Sequence, residues 1–198
     1  MRAENNRKII LASASPRRIS LLKEWGLCFE VLPSSIDEKT KLKKPSYIVK
    51  DLSYKKGVDV ARKIPKALVI SADTIVFLNG KIVGKPGNKK ESEKIIRELN
   101  GSVHKVYSGV SIIDNLSGRS SIFYDVAFVK MRKLPEVKLK ELFGKHMDKA
   151  GAYAIQDSGD DFVEKIYGDY YTVVGLPYIK LARELKKFGV VLKDTCKK

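Results

Sequence analysis

Cysteine is scarce in this chain: Cys28 and Cys196 are the only two among 198 residues. The pair offers neither zinc-ligand spacing nor a disulfide framework, which fits a reducing cytosol and makes the cytoplasm the expected location. Cys196 sits in the terminal KDTCKK, read as part of a flexible tail over 193–198. Histidine is equally rare, with only His104 and His146. No His-rich metal site and no Ser/His/Asp set is visible, which argues against hydrolysis through a protein nucleophile. Long apolar runs are missing too. None approaches the roughly 20 residues of a membrane span, and the patch Ile9–Ala12 is too short for a signal peptide's apolar region. Repeats and low-complexity linkers are absent, so the chain reads as one domain over 1–198.

Negative charge is in the minority. Lys and Arg number 39 against 23 Asp and Glu, a net +16 that draws polyanions from a distance. Nucleic acid is the first partner that charge alone suggests. The basic runs are scattered, however, over KLKK at 41–44, NKK at 88–90, KLKELFGKH at 138–146 and KK at 186–187. None interleaves with aromatics in the manner that stacks bases, so the excess reads as a solvated lysine-rich surface and nucleic acid is not the favoured partner.

What is present is an α/β pattern. KIILAS at 8–13 is a short apolar strand, and Pro16 suits the first turn of a helix carrying Ile19, Leu21, Leu22 and Trp25 until Gly26. CFEVLP at 28–33 reads as a second strand, and 45–64 as a helix from Pro45. The β-branched run ALVISADTIVFL at 67–78 is followed by Asn79-Gly80, a tight hairpin pair, with KIVGKP returning. Asn88 caps a helix through Leu99. HKVYSGVSIID and SSIFYDVAFVKM form two long strands around a turn at Leu116–Gly118. A helix from Pro135 to about His146 and a last one from Pro177 to Phe188 complete the pattern, a parallel-type start followed by antiparallel hairpins.

Three polar clusters interrupt this apolar scheme. Ser13-Ala14-Ser15-Pro16-Arg17-Arg18 leaves a strand and enters a helix, where free N–H groups, the helix dipole, two hydroxyls and a guanidinium suit phosphate oxygens. Equally, Ser15 reads as a plain N-cap with arginines facing water. Asp37-Glu38 after the second strand offers carboxylates of the kind Mg²⁺ takes together with substrate oxygens, though acidic loops are ordinary. Ser71-Ala72-Asp73-Thr74 places a carboxylate inside an apolar strand, which calls for a metal, a cation or a catalytic task, or else a bulge bonded to backbone. Lys56 and Lys85 are the lysines placed to meet Asp73; either also reads as a surface residue. His104 reads as a hydrogen-bonded structural histidine. Carboxylate, lysine and arginine together suggest metal-assisted attack of water on phosphorus.

Taken in order, LASASPRR at 11–18, IDE at 36–38, SADT at 71–74, GKP at 84–86, HKVYSGV at 104–110, AGAYAIQ at 150–156 and GDYYTVVGLP at 168–177 resemble the Maf family of nucleoside triphosphate pyrophosphatases. The resemblance runs from Leu11 to about Leu185. It implies an elongated mixed α/β sheet with flanking helices and two lobes around a cleft, similar to the inosine triphosphatase-like (Maf/Ham1) fold. It implies Mg²⁺-dependent cleavage between the α and β phosphates, with Mn²⁺ or Co²⁺ as alternatives, and a homodimer. By position, Asp73 corresponds to the proton acceptor, with Glu38, Lys56 and Lys85 as its catalytic companions. Ser13, Ser15, Arg17, Arg18, Thr74 and Gln156 correspond to substrate contacts, and Glu38 with Asp73 to metal ligands. Arg17, Thr74 and Gln156 match the dTTP/UTP branch of the family rather than the 7-methyl-GTP branch. Gln offers both a donor and an acceptor to a uracil or thymine edge. LSYKKG at 52–57 departs from the family's L-A-x-x-K-A, which leaves Lys55 or Lys56 open, and Ser108 replaces a frequent Thr. The rival reading is a nucleic-acid-binding or division-regulating protein without catalysis.

Overall fold

The computed structural model describes residues 7–155 and 161–193; Gln156, Cys196 and the tail beyond Lys193 lie outside this range. In chain order the elements are β1 (Lys8–Leu11), α1 (Pro16–Glu24), β2 (Glu30–Val31), α2 (Pro45–Ala61), β3 (Ala67–Leu78), β4 (Lys81–Val83), α3 (Lys89–Leu99), β5 (Val103–Asp114), β6 (Arg119–Met131), α4 (Glu136–Leu142), β7 (Val163–Tyr167), α5 (Tyr170–Val174) and α6 (Tyr178–Lys186). They form a mixed α/β fold on one seven-stranded sheet, ordered β2-β1-β3-β5-β6-β7 with β4 hydrogen-bonded to β3. β1 runs parallel to both β2 and β3, and every other pairing is antiparallel.

β3 organises the molecule. Leu68, Ile70 and Ala72 point into a core shared with Leu21, Leu22 and Trp25 at α1 and with Leu181 and Leu185 of α6. Val76 and Leu78, on the same face of the strand, point into a second core with Ile95, Ile96 and Leu99 of α3 and with Leu139 and Leu142 of α4. Thr74 falls between them. A polar residue at the middle of a 12-residue apolar strand thus divides one sheet face into two apolar halves.

The opposite face receives α2, which buries Ile48, Val49, Leu52 and Val60. Two glycines permit this close approach. A Cβ on Gly109 of β5 would collide with the backbone of Val49, and one on Gly57 of α2 would lie 2.7 Å from Ser111 Oγ. α2 therefore lies directly against the strands, and its side chains reach the middle of β3.

Several boundaries differ from the sequence pattern. The expected strand over 28–33 contracts to Glu30–Val31, because its ladder ends where Leu32 N donates to Leu11 O and Pro33 has no N–H to continue it. The expected helix from Pro135 ends at Leu142 rather than His146, since Gly144 adopts φ +82° and donates its N–H to Ser92 Oγ. The helix expected to 64 ends at Ala61, and the last helix spans Tyr178–Lys186. No described helix is long and apolar enough to cross a membrane.

Candidate active site

A cleft of about 370 Å³ opens where the two apolar halves meet. Of the ten residues singled out from the sequence, nine line it: Ser13, Ser15, Arg17, Arg18, Glu38, Lys56, Asp73, Thr74 and Lys85. Gln156 lies outside the described residues, immediately after the cleft-lining Ile155.

The carboxylates come from β3 and from the loop before α2. Asp73 is buried, and its Oδ1 accepts from Lys56 Nζ at 2.7 Å. The same ammonium lies 2.9 Å from Glu38 Oε1, so one cation joins two carboxylates from distant segments. Asp73 Oδ2 is buried and accepts no hydrogen bond from a described residue. Burial alone would raise the Glu38 pKa, but the hydrogen bond and charge of Lys56, with Lys85 and Arg18 adding to them, hold it below the ordinary carboxylate value. The helical phase of α2 decides between the two adjacent lysines. Lys56 points inward, whereas Lys55 pairs with Asp51 one turn earlier on the exposed side at 2.7 Å.

The loop from β1 into α1 forms the other wall. Ser15 occupies the N-cap position of α1 with no side-chain cap, and its N–H donates instead to Ser13 Oγ at 3.3 Å. The plain N-cap reading of Ser15 therefore fails. Ser13 Oγ also accepts from Arg18 at 3.2 Å, while its own proton reaches no described acceptor. The two arginines separate in role. Arg18 is bound into the protein: Nε donates to Gly175 O at 3.1 Å, one Nη to Ala72 O at 2.8 Å and the other to Thr74 Oγ1 at 3.0 Å. Burial lowers its pKa to about 10, with Asp73 opposing that shift. Arg17 is half-buried along the cleft. Its charge also acts on Asp148, whose pKa is lowered although burial raises it, chiefly through the hydrogen bond from Lys149.

Thr74 passes the Arg18 contact on. Its hydroxyl lies 2.8 Å from Ser108 Oγ, and Ser108 donates to Thr172 O at 2.7 Å. Lys85 is an exposed cation on the rim that forms no ion pair with a described residue. It meets the cleft rather than Asp73 itself.

Sequence reasoning did not single out the apolar wall of Val76, Val106, Ala150, Tyr153, Ile155 and Val173, nor Asp148. These residues come from four separate segments, and the apolar ones have an ordinary core residue's local sequence. Tyr153 is held by a 2.7 Å hydrogen bond between its hydroxyl and His104 Nε2. His104 is buried with Nδ1 unbonded among the described residues, and burial lowers its pKa to about 4, so it is a neutral structural support as expected.

A model of the family described as "Maf-like protein" matches residues 8–188. The chain is 44% identical over 182 residues to a dTTP/UTP pyrophosphatase of Elusimicrobium minutum, covering 92% of this chain and 99% of that one. It is 45% identical over 184 residues to a dTTP/UTP pyrophosphatase of Alkaliphilus metalliredigens, covering 91% and 95%. A protein of the same name from Dictyoglomus thermophilum is 41% identical over 190 residues, covering 94% and 98%. Among solved structures, the Staphylococcus aureus Ham1 protein superposes with a TM-score of 0.55 at 13% identity, covering 93% of this chain and 100% of that one, so the two share a fold. On the strength of the family match over nearly its whole length, the chain belongs to the Maf family.

Proposed function

We propose that this protein is a nucleoside triphosphate pyrophosphatase that cleaves the α–β phosphoanhydride of dTTP and UTP, giving the monophosphate and pyrophosphate. The observation that carries this reading is the convergence on one cleft of a buried carboxylate with an unpartnered oxygen, a cationic wall and an apolar wall. It stands in a chain 41–45% identical to three proteins of that name.

Each wall has a task in this reaction. The N–H groups at the start of α1, the Ser13 hydroxyl, Arg17 and Lys85 bind the triphosphate oxygens and neutralise the charge that grows on departing pyrophosphate. Asp73 Oδ2 is the acceptor for the proton of the attacking water. Lys56, bonded to the other oxygen, fixes Asp73 in orientation. Arg18 is bonded to Gly175, Ala72, Ser13 and Thr74 and holds those segments in register. The apolar wall around Val106, Tyr153 and Val173 receives the base, and Gln156, by its place in the family motif, reads the pyrimidine edge.

The donor set fits a divalent cation. Among the described residues no group of three His, Cys, Asp or Glu converges, as a structural zinc site would need. Mg²⁺ instead takes one or two carboxylates together with substrate oxygens, and Glu38 and Asp73 meet that description. They would hold Mg²⁺, or Mn²⁺ or Co²⁺ in its place, and the bound ion supplies charge neutralisation on the triphosphate. A cytoplasmic location and a homodimeric assembly belong to the same proposal.

Pyrophosphate release with Mg²⁺ over a panel of dTTP, UTP, CTP, 5-methyl-UTP, dATP, GTP and 7-methyl-GTP tests the reading. Selective turnover of dTTP and UTP supports it. Preference for 7-methyl-GTP overturns the base assignment, and no turnover of any nucleotide by folded protein overturns the activity.

A further inference from the structure

Rings and lysines that are far apart in sequence meet on a sheet surface whose residues do not line the cleft. In the ladder, Phe77 of β3 stands opposite Lys105 of β5, Lys105 opposite Phe128 of β6, and Phe128 opposite Tyr167 of β7. Residues directly opposite share a face, so the row presents ring, ammonium, ring and ring across about 14 Å. Tyr107 and Tyr124 occupy the same face and stack with centroids 6.4 Å apart and planes 27° from parallel. Tyr47 in the first turn of α2 extends the surface. Lys44 and Lys50 each place Nζ 5.0 Å from its ring centre, and Lys50 also lies 5.8 Å from that of Tyr124. Lys105 lies 5.2 Å over Phe128, and Lys165 lies 5.0 Å over Tyr167.

This surface is open. Tyr47, Tyr124, Phe128 and Tyr167 are 50%, 37%, 40% and 48% exposed. Lys44, Lys50, Lys105 and Lys165 form no ion pair with any described residue; rings are the partners of their ammonium groups. None of these residues lines the cleft.

We infer that this face binds single-stranded nucleic acid, with bases stacked on Tyr124, Phe128 and Tyr167 and phosphates drawn to the four unpaired lysines. Every base has a π face, so exposed rings spaced along a sheet hold a strand without reading its sequence. The net +16 charge brings a polyanion to the surface. A second copy of the chain is the poorer complement, because a two-fold contact here sets the same unpaired lysines against each other. The scattered basic runs argued against nucleic acid when read along the chain. Strand pairing sets Lys105, which belongs to none of those runs, between Phe77 and Phe128, and that reverses the argument.

Fluorescence anisotropy of the full chain with labelled oligo(dT) and oligo(U) of about 15 nucleotides, across a salt series without Mg²⁺, tests the inference. Both oligomers are expected to bind, with Tyr124→Ala and Phe128→Ala each weakening affinity about tenfold. Lys105→Ala is expected to flatten the log affinity against log salt slope by about 0.7. Phe128→Leu keeps apolar bulk on β6 and is expected to lose binding as Phe128→Ala does, with unchanged circular dichroism melting as the control for folding. Three results overturn the inference: no binding at low salt, binding indifferent to the ring substitutions, or a wild-type dimer in sedimentation that Tyr124→Ala and Phe128→Ala dissociate.

Discussion

Lys56 Nζ stands 2.7 Å from one oxygen of Asp73, while the other oxygen of that carboxylate is buried and accepts nothing from the described residues. The arrangement fixes a cleft-lining carboxylate and leaves one of its oxygens without a described partner. Removing the ammonium leaves Asp73 as an unpaired buried charge. Lys56→Met is therefore expected to lower stability by about 3 kcal/mol and turnover by roughly 100-fold. Urea unfolding and pyrophosphate release measure the two effects. Lys55→Met, which breaks only an exposed pair with Asp51, is expected to change stability by less than about 0.5 kcal/mol.

The adjacent arginines make a second contrast. Arg18 donates to carbonyls of Ala72 and Gly175 and to the hydroxyls of Ser13 and Thr74, and a lysine cannot reproduce that planar fork. Arg18→Lys is expected to cost about 3 kcal/mol of stability through unsatisfied buried acceptors. Arg17→Ala is expected to raise KM for dTTP about tenfold in pyrophosphate release, the loss of one charge-assisted phosphate contact. An unchanged KM in Arg17→Ala would contradict the division of roles.

Much of this was legible in the sequence, and where it was not the cause is long-range. β3 fills the β-branched run 67–78, Asn79-Gly80 makes the turn, and Asn88 caps α3 by accepting from Glu91 N at 2.9 Å. These are local signals with local causes. The Lys55 and Lys56 alternative needed the phase of α2 against β3, set by Gly57 and Gly109. The roles of Arg17 and Arg18 needed Gly175, 157 residues away from Arg18. The apolar wall of the cleft and the lysine–ring surface are both assembled by strand order, which no single segment encodes.

His104 links stability to acid. Its pKa falls from about 6.5 unfolded to about 4 in the folded chain, because burial disfavours the charged ring. Above about pH 6.5 both states are neutral and the group contributes no penalty. Between about pH 6.5 and pH 4 the unfolded state binds the proton and the folded state does not, so stability falls as pH falls. The stability advantage of wild type over His104→Gln is expected to shrink by roughly 2 kcal/mol from about pH 7 to pH 4.5. Parallel pH profiles of the two proteins would contradict it.

Glu38 is more exposed than Asp73 and reaches the site from a loop, so its loss should disturb cation binding more than folding. Glu38→Gln is expected to raise the Mg²⁺ concentration for half-maximal pyrophosphate release about tenfold, with an unchanged melting temperature. An unchanged Mg²⁺ dependence would remove Glu38 from the proposed cation site.

The most direct test of the account is Asp73→Asn, which keeps the shape of the side chain and removes the proton acceptor. The variant and wild type are compared for pyrophosphate release from dTTP and for dTTP binding by calorimetry. The account predicts turnover reduced about 1000-fold with affinity for dTTP kept within a few-fold. A variant that retains full turnover would contradict the assignment of Asp73 as the acceptor, and with it the mechanism built on the cleft.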